Sequence, residues 1–122
     1  VQGPPHVGQR GESAADMATF CAYFDTQAAI NRFPLVVVVD DSEQVARQLN
    51  NFLWTVFTRS NPATDIHGIS AFSEARHWGC RGALVIDARA KDFHPPALEE
   101  DPAALRRVEG LAASGGPLHG LF

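Results

Sequence analysis

Leu35-Val36-Val37-Val38-Val39-Asp40-Asp41-Ser42 is the stretch on which the fold turns. Five apolar residues, four of them β-branched, run without polar alternation and stop at two carboxylates and a hydroxyl. A run with no polar face reads as a strand buried on both sides, the form taken in parallel sheets. Ser42 or Asp41 can cap a following helix, and Glu43 favours its positive end. Behind the cap, Val45, Leu49, Phe52, Leu53, Val56 and Phe57 fall on one face, which predicts an amphipathic helix over about Glu43 to Arg59. Asn61-Pro62 stops it.

Ala83-Leu84-Val85-Ile86-Asp87 is a second strong strand. Two such strands separated by helical sequence indicate a βαβ arrangement. Between them a weak strand is expected near Asp65 to Ile69, and Ala71 to Cys80 reads as a short helix over Phe72 to Arg76 or as a loop. Upstream, Ser13 is a plausible N-cap. Met17, Phe20, Cys21, Phe24 and Ala28 recur at helical spacing, predicting a helix from about Ala14 to Asn31 that Phe33-Pro34 breaks. Downstream, His94-Pro95-Pro96 is a breaker. Asp101-Pro102 opens a final short helix through Leu105, Val108 and Leu111, closed by Gly115-Gly116-Pro117. The expected class is α/β: a small, mostly parallel sheet with flanking helices, preceded by an N-terminal linker helix. Residues 1–33 read as linker segment and helix, and residues 34–122 as the α/β domain with its C-terminal helix and tail.

The 122 residues are enough for one domain with a core of its own. Hydrophobic residues at 45% and charged residues at 20% exclude general disorder. A net charge of −4 does not favour nucleic acid or an anionic membrane as partner. The longest apolar run is far too short to span a bilayer. Cys21 and Cys80 read as reduced thiols in a reducing, cytoplasmic setting, and no secretory signal is visible. With Val1 at its head and Met17 as its one methionine, the sequence reads as a fragment, a trimmed chain or a matured subunit.

Residues that could carry chemistry are few. Asp40 and Asp41 sit where a buried strand hands over to a helix, the edge at which open α/β sheets bind ligands. Two adjacent carboxylates could hold a divalent cation or pair with arginines, or one could cap the helix while the other is solvated. Arg59 suits a helix C-terminus and could pair with Asp65 in the following loop. His77-Trp78-Gly79-Cys80 has a ligand-like His and Cys spacing, but zinc needs further ligands, with His67, His94 and distant Cys21 left to supply them. No P-loop, no dinucleotide fingerprint, no nucleophile elbow and no glycosidase-like carboxylate pair appears.

Two resemblances extend this reading. Val36 to Ser42 is similar to the opening strand and acidic turn of a bacterial receiver domain, with Asp87 ending a later strand at close to that family's interval. That likeness implies a degenerate signalling module binding magnesium through Asp40, Asp41 and Asp87. The Thr or Ser and the Lys of the receiver switch have no counterparts here.

The second resemblance is broader. Phe33-Pro34-Leu35 through Asp40-Asp41, Leu53-Trp54, Thr58-Arg59, Pro62 and Asp65 resemble the C-terminal domain of UbiD-type decarboxylases. His77-Trp78-Gly79-Cys80, Gly82, Leu84 to Arg89, His94, Pro96 and Gly115 to Gly120 resemble the branch of that family that handles aromatic acids. Ser42-Glu43-Gln44 departs from the pattern, since many relatives continue the acidic run there. The resemblance implies reversible, non-oxidative decarboxylation of aromatic or α,β-unsaturated acids. The cofactor it implies is prenylated FMN with manganese and potassium, held by a flavin-binding N-terminal domain or subunit that also carries the catalytic residues. It assigns no catalytic residue and no metal to this chain, which alone is expected to be inactive. A role in homo- or hetero-oligomerisation and in closing over the active site is implied instead. On that reading Phe72, His77, Trp78 and Arg81 are candidates for the substrate mouth or lid. Phe20, Phe24, Asp40, Asp41, Arg59 and Asp65 are structural or interface candidates.

Overall fold

The computed structural model describes residues 1–95 and 101–120. Pro96, quoted above for the breaker and for the resemblance, lies outside the described residues. The class is the expected α/β, with a sheet of three strands, a separate sheet of two, and helices around them.

The valine run forms β1 (Leu35–Val38). Val36 and Val38 face one core with Ala14, Met17, Ile69, Ala83 and Val85. Val37 and Val39 face another with Val56 and Ala88. Both faces of the strand are therefore covered, as its lack of polar alternation requires. β5 (Leu84–Asp87) lies parallel to β1, with Leu35 opposite Leu84 and Val38 opposite Asp87. β2 (Ile66–Gly68) pairs antiparallel with the other side of β5, giving the order β1-β5-β2. The outer edge of β1 is met by the first residues of the chain. Gly3 N–H donates to Val39 O at 2.9 Å and Val39 N–H donates to Val1 O at 2.9 Å.

Helix α1 (Ala15–Tyr23) is shorter than its apolar spacing predicts. Asp25 explains the early stop. Its Oδ1 accepts the Gln27 N–H at 2.8 Å, and its carbonyl accepts from Ala28 N–H and the Asn31 amide. These local bonds compete with helix continuation. A 3-10 turn over Ala29–Arg32 then leads into β1. Ser13 does not cap α1: the N-cap is Ala14, and Ser13 Oγ donates instead to Thr64 O at 2.7 Å.

The long helix expected after β1 is two helices, α2 (Ser42–Arg47) and α3 (Leu49–Arg59). Gln48 is extended between them, at φ −146° and ψ 143°. The Asn51 side chain donates to Gln44 O at 3.0 Å, satisfying a carbonyl that the break leaves open. No Gly or Pro marks this point, which is why periodicity alone runs through it. Asp41 is the cap of α2, accepting the Gln44 N–H at 2.9 Å.

Ala71 to Cys80 is neither helix nor loop. It is a hairpin of β3 (Ala71–Glu74) and β4 (His77–Cys80). Its two turn residues, Ala75 and Arg76, have φ of 49° and 67°. A two-residue hairpin loop with both φ positive is the geometry that usually selects Asn-Gly. Ala and Arg carry no such signal, and each incurs a left-handed penalty of about 1–2 kcal/mol. Replacing Ala75-Arg76 with Asn-Gly is therefore expected to stabilise the protein by about 1 kcal/mol. Thermal unfolding checks this, and a lower midpoint in the variant counts against the turn as described.

The last helix, α4 (Pro102–Ala112), begins as the sequence indicates, with the Asp101 side chain accepting the Ala103 N–H and Pro102 opening the helix.

Candidate functional site

The carboxyl edge of β1 and β5 gathers Asp40, Asp65, Asp87, Arg59, Arg89 and Lys91. Arg89 is fully buried, two residues beyond the end of β5. Its Nε and Nη2 donate to Asp87 at 2.8 Å each. Its Nη1 and Nη2 donate to Asp16 of α1 at 2.6 and 3.0 Å, and Nη1 also reaches Pro4 O at 3.1 Å. One guanidinium thus ties the sheet edge, α1 and the N-terminal segment together, with all its donors directed at protein oxygens.

Burial pushes the Asp87 carboxyl up, but the hydrogen bonds from Arg89 and the nearby Lys91 outweigh it and hold the group below the ordinary aspartate range. Asp16 is likewise lowered, chiefly by its hydrogen bond to Arg89. Those same two carboxylates raise Arg89 further above its ordinary value.

Lys91 is the second buried cation. Its Nζ donates to Arg59 O at 2.9 Å, Asp87 O at 3.2 Å and Arg89 O at 3.3 Å, and lies 3.3 Å from Asp65 Oδ2. Asp65 also accepts the Asn61 N–H at 2.7 Å. Arg59 therefore does not pair with Asp65 as its position suggested. It reaches Asp40 at 3.2 Å and lies over the Trp54 ring at 5.5 Å. Asp40 accepts the Ala90 N–H as well, at 2.7 Å.

Each carboxylate of the acidic turn thus has its own structural partner. Asp40 holds Arg59, Asp41 caps α2, and Asp87 is gripped by Arg89. Among the described residues, no group of three or more His, Cys, Asp or Glu is placed to hold a metal ion. The donor set thus does not fit magnesium held jointly by Asp40, Asp41 and Asp87. Sequence reading missed Asp16, Arg89 and Lys91. The available signal was the alternation Asp87-x-Arg89-x-Lys91 directly after a buried strand, where cations next to a carboxylate have to be paired.

Beside this edge lies a cavity of about 190 Å³, lined by His6, Arg10, Asn61, Asp65, Lys91 and Phe93 among others. His94 accepts the Lys91 N–H through Nδ1 at 3.2 Å. Burial, with Lys91 and Arg59 close by, keeps its imidazole below the ordinary histidine value. His67 is lowered too, by burial first, against the pull of Asp87 and Asp65.

Phe72, His77 and Trp78 lie on the hairpin, and Arg81 directly follows it. Residues opposite one another in an antiparallel pair share a face. Phe72 with Gly79 and Glu74 with His77 lie on one face, and Ser73 with Trp78 and Ala71 with Cys80 on the other. The Phe72 ring occupies the space a side chain at position 79 would need, and the Arg81 guanidinium lies over that ring at 5.5 Å. The opposite face turns toward β2: the Trp78 Cη2 and the Cys80 thiol lie against Gly68, where a Cβ would meet them at 3.3 and 2.9 Å. Phe72 is still 39% exposed and Trp78 50% exposed. The hairpin thus offers aromatic surface while one of its faces rests on the sheet.

Phe20 and Phe24 are half-buried. They meet edge to face at 5.3 Å and pack against the core below α1. Both also line an apolar groove of about 370 Å³ between α1 and the N-terminal segment. Cys21 lies beside them. Burial pushes its thiol up and Cys80 adds to the shift, while the Gly68 N–H works against both.

No family model matches the chain. Over 79 residues it is 29% identical to a Chlamydia pneumoniae protein named as a subunit of 4-hydroxybenzoate decarboxylase, a match covering 65% of this chain and 14% of that protein. An uncharacterised protein of Chlamydia muridarum is 29% identical over 82 residues, covering 67% of this chain and 14% of the relative. One from Chlamydia trachomatis is 31% identical over 76 residues, covering 62% and 13%. The chain therefore spans about one-seventh of the length of the curated relatives it matches. Similarity to a protein named as a decarboxylase subunit links the chain to that group of proteins.

Proposed function

We propose that these residues form the C-terminal-type domain or small subunit of a UbiD-type carboxy-lyase, acting with a larger flavin-binding partner on aromatic or α,β-unsaturated acids in the cytoplasm. The observation that carries the reading is the 79-residue similarity to a protein named as a 4-hydroxybenzoate decarboxylase subunit. Among the described residues no helix is long and apolar enough to cross a membrane.

Prenylated FMN, with its manganese and potassium, belongs in this reading to the partner, as the resemblance to UbiD-type C-terminal domains implies. The contribution of this chain is then mechanical. The sheet and its buried ion pairs give a rigid body, and the hairpin presents a bulky, partly exposed ring on each face, Phe72 on one and Trp78 on the other. Such rings exclude water from a reacting acid, which favours loss of a carboxylate as neutral carbon dioxide. In this reading His77 of β4 and Arg81 just after it would orient the acid. The groove beside Phe20 and Phe24 is the apolar surface that a partner would cover.

The test is reconstitution. Co-expressed with a flavin-bearing UbiD-type large subunit, this chain is expected to join it and to raise its decarboxylation of aromatic acids. Trp78→Ala and His77→Ala are then expected to lower turnover on the order of tenfold, with the mass of the assembly unchanged. Lost assembly with normal turnover per complex points to a purely oligomerising domain. Failure to bind the large subunit at all removes the reading.

A further inference from the structure

The outer edge of β1 is paired along only part of its length. Leu84 N–H donates to Pro34 O at 3.0 Å and Ala88 N–H to Val38 O at 2.8 Å, so Val36 and Val38 turn their backbone groups toward β5. Leu35, Val37 and Val39 therefore turn theirs outward. At Val39 both groups are used: its N–H donates to Val1 O, and its carbonyl accepts from Gly3 N–H. At Val37 the carbonyl accepts from the Val1 amino group at 2.9 Å. The Val37 N–H and the Leu35 carbonyl have no partner among the described residues. Beside this stretch lies an apolar groove of about 210 Å³, lined by Leu35 and Val37 of β1, Val45 and Ala46 of α2, and Phe52 of α3 among others. No acidic or basic side chain lines it. Leu35 is 42% exposed there.

We propose that the outer edge of β1, from Val37 back to Leu35, is a strand-addition site. Its occupant is polypeptide joined to the amino group of Val1, running parallel to β1 with an apolar residue directly ahead of Val1. The register follows from the bridge already present. Gln2 stands opposite Val39 in the parallel sense, so the residue directly ahead of Val1 stands opposite Val37. Opposite residues share a face, which directs that side chain into the groove over Val37, Val45 and Phe52. The residue two ahead of Val1 supplies both missing backbone partners: its carbonyl accepts the Val37 N–H, and its own N–H donates to Leu35 O. The Val1 nitrogen already stands where a ladder N–H belongs. A second copy fits this edge less well. Two β1 edges related by a two-fold axis meet antiparallel, and Val1 and Gly3 already hold the Val39 end. The relatives that this chain matches keep most of their own length outside the matched part, which is polypeptide of the kind the site takes. This inference goes beyond the carboxy-lyase reading and does not rest on it.

Hydrogen exchange at the Val37 amide, followed by NMR, tests the edge. Two extended chains are compared with the unextended one. The first carries Ser-Val-Ser-Val ahead of Val1, which places valine opposite Val37 and Leu35. The second carries Val-Ser-Val-Ser, with the same composition on the opposite faces. The first is expected to slow exchange at Val37 on the order of tenfold and to raise the thermal midpoint, and the second to do so much less. Exchange unchanged by the first extension, or slowed equally by both, overturns the site. Protection that appears only with a doubling of mass assigns the edge to a second copy and overturns the occupant. In protein isolated from its source, peptide sequencing is expected to find Val1 in amide linkage with an apolar residue directly ahead. A free Val1 amino group, or a charged residue at that position, overturns the occupant as well. These readouts involve no turnover, so their failure leaves the carboxy-lyase reading standing, and failed reconstitution leaves the edge.

Discussion

Arg89→Met is expected to destabilise the protein by about 3–5 kcal/mol, the usual result of removing one member of a buried ion pair. Methionine is apolar and flexible enough to fill much of the volume, so the loss comes from the charge left behind. Asp87 is fully buried, and the Arg89 guanidinium gives it two hydrogen bonds that the variant lacks, while the backbone N–H of residue 89 still donates a third. Urea unfolding at neutral pH measures the effect. The pH dependence identifies its cause. In the wild type, Asp87 and Asp16 sit below the ordinary aspartate range. Their contribution is complete above the unfolded-state value and disappears as pH falls through the lower folded-state value. In the variant, burial acts on Asp87 without the compensating guanidinium, so its carboxyl rises and the native state gains by protonation. The gap between wild type and variant is therefore expected to narrow as pH falls from 7 toward 4. A gap that stays constant would place the effect in packing rather than charge.

Lys91→Met is expected to cost a similar amount, about 3 kcal/mol, but through a different set of atoms. Lys91 Nζ is shared between Asp65 and three carbonyls, those of Arg59, Asp87 and Arg89. Removing it strands one buried carboxylate and leaves three main-chain acceptors short of a donor. Adding Asp65→Leu to relieve the charge is expected to recover only part of the loss. Asp65 also accepts the Asn61 N–H at the turn after α3, and that bond would go with it. Full recovery in the double variant would mean that the ion pair alone matters and that the carbonyls find water. Amide exchange at Asn61 distinguishes the two, rising in the double variant if its acceptor is lost.

The strong elements were legible because their chemistry is redundant. The valine run and Leu84 to Asp87 have one conformation that buries them, and their parallel pairing follows from the helical sequence between. The acidic turn was legible as a cap, with Asp41 in that role. Two of the failures share a cause, a single side chain overriding a periodic pattern. Asp25 ends α1 inside a helical spacing, and Asn51 bridges a break at Gln48 that no Gly or Pro announces. The hairpin was invisible because Ala75-Arg76 fills a turn normally written Asn-Gly. The ion networks were half visible. Asp40, Asp65 and Arg59 stand out by position, but pairing partners on strands and loops remote in sequence, such as Asp16 with Arg89, follow from topology and not from spacing.

The contacts of Val1 and Gly3 with Val39 bear on how the sheet avoids pairing with other chains. A strand as rich in valine as β1, flat and uncharged, is a template for pairing with other chains wherever its outer edge is bare. Here the opening residues of the chain sit on that edge and occupy its Val39 end. They act as a selvedge, finishing a border that would otherwise fray into aggregates. Removing Val1 to Gly3 from β1, or placing a charge among them, is therefore expected to bare that edge and to promote association between copies.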